Sequence, residues 1–178
     1  MKINTKNDIT KFIWRITYSH FISYFFAGIF ALVVVNYKDL FATEELSLLM
    51  RPVSDPIVAL GPFLQLFRGL IIALVLLPIR KVIVTENHGF IKLCILILGL
   101  SLISTIGPTP GSFDGYIYTI IPATYQVLGY IEAAIYISLF LVILWSSYKF
   151  EKHWVNISFL ILVVILSFFS IFGYFSLQ

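Results

Sequence analysis

The sequence predicts an all-α integral membrane protein: five transmembrane helices with a short interfacial helix in the first outer loop. Three observations carry this prediction. Of 178 residues, 60% are hydrophobic, 17% aromatic and only 12% charged, where a soluble domain carries about 25% charged residues. Too few polar groups exist to coat a water-soluble surface, and the mean hydropathy is +0.97. Apolar runs of about 20 residues, enough to cross a hydrocarbon core, recur along the chain between short polar segments. They fall at 16–36, 56–79, 89–106, 121–145 and 155–175, which makes residues 1–178 one membrane bundle without a separate soluble domain.

The first span follows Lys2, Lys6, Lys11 and Arg15. Its apolar stretch is longer than the core of a signal peptide, and no small-x-small cleavage site follows closely, so it reads as a retained helix. Ser19, Ser23, Ala27 and Ala31 recur every four residues, a small-residue stripe on which another helix packs closely. His20 lies beside that stripe, near the cytoplasmic end, and reads as a hydrogen-bonded interfacial histidine or a proton relay. From Asp39 to Met50, acidic and apolar residues alternate at helical spacing with Asp39 as the cap, which predicts a short helix in the membrane interface. The segment Arg51-Pro52-Val53-Ser54-Asp55-Pro56 ends it. Pro56 suits the first turn of the next helix, capped by Ser54 or Asp55.

The second span sets Gly61, Gln65 and Arg68 on one face. Pro62 predicts a kink there, and Arg80 and Lys81 close the span. Between the third and fourth spans, Gly107-Pro-Thr-Pro-Gly-Ser-Phe-Asp-Gly-Tyr-Ile-Tyr118 is dense in turn formers and is expected to dip against protein. The fourth span sets Tyr125, Gly129 and Glu132 on one face at the same spacing as Gly61, Gln65 and Arg68. The fifth, relieved only by Asn156, serines and Gly173, is expected to be peripheral and lipid-exposed.

Lys and Arg are unequally divided among the loops. Nine belong to the N-terminus and the 80–92 and 149–152 loops, against Lys38 and Arg51 on the other side. Basic residues mark the cytoplasmic side, so the N-terminus is expected in the cytoplasm and the C-terminus outside, in the cell membrane. Arg68 remains inside a span, where a guanidinium costs about 2.5–3.5 kcal/mol on insertion scales. It should face protein or a water-filled cavity. Helix rise brings Glu132 to a similar depth from the outer face, so an Arg68–Glu132 pair is expected at the floor of an outward-opening pocket. Gln65, Gln126, Tyr125 and Ser104 or Thr105 would form its walls. The pair either locks two helices together or serves a ligand.

Three functional readings follow. The first is binding or passage of a small or amphipathic ligand at the Arg68–Glu132 site. A second is an interfacial enzyme acting on a lipid or peptide, with Asp55 and Asp114 as acid and base and Arg51 holding a phosphate headgroup. The third is a structural subunit of a larger membrane complex, or a homo-oligomer, meeting its partner through the small-residue stripe and the outer interfacial helix. Membrane lipids are partners under all three. The net charge of +3 is accounted for by basic cytoplasmic loops, so nucleic acid is not expected. One cysteine, Cys94, and three scattered histidines offer no disulfide, metal site or cofactor site.

Overall fold

The computed structural model describes residues 5–103 and 111–178, and all of their regular structure is helical. The order is α1 Thr5–Val34, α2 Tyr37–Leu40, α3 Glu44–Ser47, α4 Pro56–Leu76, a 3-10 turn Leu77–Ile79, α5 Arg80–Thr85, α6 Gly89–Ile103, α7 Phe113–Tyr118, α8 Ala123–Lys149 and α9 His153–Ser176. Four helices are long and apolar enough to cross a membrane: the first, α4 with its extension to Thr85, α8 and α9. α6 has 15 residues, about 22 Å of helix. The expected third span runs on to residue 106, beyond the described residues.

α1 is the axis of the bundle. In its most apolar stretch 56% of residues are buried, against 17% in α4 and in α8 and 22% in α9. The stripe Ser19, Ser23, Ala27 and Ala31 is wholly buried within the chain. α4, α8 and α9 all pack along α1, and α9 also packs along α4. The fifth helix is therefore not the most lipid-exposed one. Only Gly89 and Leu93 of α6 are buried, so that helix takes the outermost position.

The bundle has two distinct ends. At one, Arg15 lies 4.2 Å from the Tyr148 ring centroid and 3.2 Å from Glu151 Oε1, tying α1 to the α8–α9 link. At the other, α1 stops at a left-handed Asn36 (φ 56°), a conformation asparagine tolerates better than most residues. α4 begins at this second end. Asp55 Oδ1 accepts from the Ile57 amide at 3.0 Å, and Pro56 occupies the first turn, where its missing N–H costs nothing. α8 also begins there, because Tyr37 beyond α1 reaches Glu132 of α8. The chain thus leaves α5 at the Arg15 end and re-enters the described structure at Gly111, at the Tyr37 end.

Two local expectations are corrected. The segment 39–50 forms two single turns, α2 and α3, rather than one helix, with Thr43 extended between them. A helix that short has little intrinsic stability; the Thr43 hydroxyl bonds the Leu40 carbonyl at 2.8 Å, and burial of Leu46 sets its course. Nor does the second span end at Arg80–Lys81. Pro78 tightens one turn into a 3-10 helix, and helix resumes to Thr85.

Pro62 lies inside α4, which is helical throughout from Pro56 to Leu76. A proline in a helix removes one backbone donor and crowds the preceding turn. Ser170 of α9 bonds the backbone beside it: its hydroxyl accepts from the Phe63 amide at 3.1 Å and donates to the Ala59 carbonyl at 2.7 Å. A single side chain from another helix thereby gives both groups a partner.

Candidate functional site

The hydrophobic core gathers on the Arg15 half of α1. One cluster joins Phe12 and Ile16 to Ala73, Leu93, Phe140 and Leu144, and another joins Tyr18, Phe21 and Ile22 to Val163 and Leu166. Towards the Tyr37 end, packing gives way to a cavity of about 890 Å³. α4 and α8 form its sides, each packed along α1 with little direct contact between them. Val58, Gly61, Pro62 and Arg68 line it from α4; Tyr125, Leu128, Glu132 and Tyr136 line it from α8. α1 supplies His20, Tyr24, Phe25 and Gly28, and the α2–α3 segment covers the top with Phe41, Leu46 and Met50. Glycine accounts for part of the width: a Cβ added at Gly28 or Gly61 would meet nothing within 4 Å.

Of the residues singled out from sequence, Arg68, Glu132 and Tyr125 line this cavity. Arg68 and Glu132 nevertheless do not pair. The Glu132 carboxylate accepts instead from the Tyr37 hydroxyl, and no hydrogen bond or ion pair engages Arg68 among the described residues. Depth explains the difference. His20 bonds both Gln65 of α4 and Tyr136 of α8. By helix rise Arg68 lies about 4.5 Å beyond Gln65, while Glu132 lies about 6 Å short of Tyr136, nearer the Tyr37 end.

The two glutamines have other partners. His20 lies mid-helix rather than near an end, and the amide oxygen of Gln65 takes its Nε2–H at 3.1 Å. That leaves Nδ1 to accept from the Tyr136 hydroxyl at 2.5 Å. The histidine is hydrogen-bonded on both nitrogens. Gln126 is 1% exposed and anchors the loop that precedes α8. Its oxygen accepts from the Gly111 amide at 2.5 Å, and its nitrogen donates to the Gly115 carbonyl and Thr119 hydroxyl, both at 3.1 Å. Gly111 (φ 78°) also rests on Gly129, where an added Cβ would stand 3.0 Å from backbone. This part of the loop is packed against the first turns of α8, in keeping with the expected dip. Ser104 and Thr105, with the loop up to residue 110, lie outside the described residues.

Arg51 lines the cavity mouth and pairs with Asp55 Oδ2 at 2.8 Å. Both oxygens of Asp55 are committed, one to Arg51 and one to the helix cap. The Arg51 hydrogen bond, and then the Ile57 amide, hold its carboxyl below the usual carboxylate range. Asp114 lies in the first turn of α7 and does not line the cavity. No group of three potential metal ligands occurs among the described residues.

Sequence reasoning missed Tyr37, Tyr24 and Tyr136. Tyr136 was within reach, since it continues the Tyr125, Gly129, Glu132 face by one more turn. Tyr37 carried no signal of its own, because its partner is 95 residues away. The chain matches no family model, no curated protein and no solved structure. Its own geometry carries the functional reading.

Proposed function

We propose that this protein is a five-span cell-membrane protein that holds a small or amphipathic ligand in the cavity between α4 and α8. The N-terminus lies in the cytoplasm, and the cavity opens towards the outer face. One observation carries the ligand reading: a cavity of about 890 Å³, within the 300–1,000 Å³ common for ligand sites, contains a cationic side chain that no acid among the described residues neutralises. Leaving Arg68 unpaired at mid-span is costly, which favours a site kept for an occupant.

The fifth crossing and the orientation are supported by chain direction and charge. The chain travels from the Arg15 end at Thr85 to the Tyr37 end at Gly111, and α6 packs on α8 along the way. Lys11, Arg15, Arg80, Lys81, Lys149 and Lys152 gather at the Arg15 end, against Lys38 and Arg51 at the other. That bias favours a cytoplasmic Arg15 end. The assembly reading is less favoured, since the small-residue stripe it relied on is buried within the chain. The enzyme reading is weakened by the commitment of Asp55 to its cap and to Arg51.

Native mass spectrometry tests the binding. Wild-type protein released from its membrane should retain a small-molecule adduct. A variant with Gly28→Phe and Gly61→Phe, whose new rings fill the cavity, should lose it. Identical spectra for the two proteins would reject the cavity as a ligand site.

A further inference from the structure

We infer that the occupant is an amphipathic anion: a phosphate or carboxylate group bound by Arg68, carrying an apolar chain that lies between α4 and α8. This rests on the reading of the cavity as a ligand site and adds the chemistry of what fills it.

Charge selects the headgroup. Two arginines line the cavity, and Arg51 is already held by Asp55 at 2.8 Å. Arg68 remains the unpaired cation among the described lining residues. A guanidinium offers a planar fork of donors that matches the oxygens of phosphate or carboxylate. A cationic amphiphile would have to turn to Glu132, whose carboxylate already accepts from Tyr37, and would leave Arg68 without a counter-charge. His20 contributes no competing donor, because its nitrogens are taken by Gln65 and Tyr136.

The walls select the chain. Apart from its polar groups the lining is built from apolar side chains such as Phe25, Leu32, Val58, Leu128 and Ile137. Gly28 and Gly61 leave smooth, open stretches of helix among them. An inorganic anion would use Arg68 and leave this apolar surface uncovered, whereas an acyl or alkyl chain covers it and gains the burial. Access follows from the packing. Arg68 is exposed although it lies mid-span, and α4 and α8 meet through α1 rather than each other. The gap between them gives the cavity a side entrance in addition to its mouth at Arg51, within reach of amphiphiles in the bilayer.

The test uses the full chain in a neutral maltoside detergent and three probes: dodecyl phosphate, dodecyltrimethylammonium and inorganic phosphate. Thermal unfolding and native mass spectrometry report binding. Dodecyl phosphate should raise the unfolding temperature of the wild type and appear as a single adduct, while the other two do neither. Arg68→Gln should weaken dodecyl phosphate binding about tenfold or more, and Arg68→Lys, which keeps the charge without the fork, should weaken it less. If Arg68→Gln does not fold, the headgroup comparison on the wild type decides alone. Equal stabilisation by dodecyltrimethylammonium, or unchanged binding in Arg68→Gln, overturns the anion assignment. Equal stabilisation by inorganic phosphate overturns the chain. The variant with Gly28→Phe and Gly61→Phe separates the two levels. If it loses dodecyl phosphate while Arg68→Gln keeps it, only the headgroup assignment fails. If it binds like the wild type, the cavity reading fails with it.

Discussion

At the scale of single residues, Ser170 illustrates how one hydroxyl can support a helix it does not belong to. Beside Pro62 of α4, Ser170 of α9 bonds both the Phe63 amide and the Ala59 carbonyl. Replacing it with alanine leaves a donor and an acceptor unsatisfied in an apolar setting, so Ser170→Ala should cost about 1–3 kcal/mol. In a Pro62→Ala background α4 can restore its own bond, and the same change should cost markedly less. A double-mutant cycle read by denaturant unfolding in micelles measures the difference, and strict additivity would refute the bridge. Arg68 shows the converse: a side chain whose position in the sequence demanded a partner, and which pairs with no acid among the described residues.

At the scale of the helix, α4 uses its glycines in opposite ways. Gly69 lies at the crossing with α1, where an added Cβ would stand 2.9 Å from the Thr17 carbonyl oxygen and 3.3 Å from the His20 ring. Backbone cannot yield as a flexible side chain can, so Gly69→Ala should push the helices apart and destabilise by about 1–3 kcal/mol. Gly61 lies two turns earlier and faces open space. Gly61→Ala should therefore be neutral or stabilising, by about 0.5–1 kcal/mol, through the lower backbone entropy of alanine in the unfolded chain. Unfolding midpoints of the two variants in one detergent test this, and equal shifts in the same direction would show that the α1–α4 crossing has been misassigned. The pattern also explains the cavity: α4 touches α1 closely at Gly69 and, towards its start, lines open space at Gly61.

For the whole molecule, the testable property is which end faces which compartment. In a Cys94→Ala background, Ser47→Cys on α3 should react with a membrane-impermeant maleimide added to intact cells. Lys152→Cys, in the α8–α9 link, should react only after permeabilisation. Reversed labelling would invert the orientation, and labelling of both from one side would remove one crossing. The aromatic and aliphatic residues of α7 belong to the same picture. Phe113, Tyr116 and Tyr118 are more than 60% exposed, and such side chains favour the headgroup layer.

What the sequence determined by itself is whatever depends on the average of many residues. Scarcity of charge and the length of apolar runs predict membrane helices, and the four longest runs appear as four helices. The uneven division of Lys and Arg predicts which loops share a side. A cap with a local cause was legible too: Asp55 before Pro56. Contacts between distant segments were decided only by the tertiary structure. Helical spacing set Arg68 and Glu132 each on a polar face, but spacing along one helix says nothing of how its face is turned or how far it slides against another. A difference in depth is enough to give Glu132 to Tyr37 and leave Arg68 without an acid among the described residues. The same applies to α1. Its residues reveal that something packs on the small stripe, and only the assembled bundle reveals that this partner is the rest of the chain.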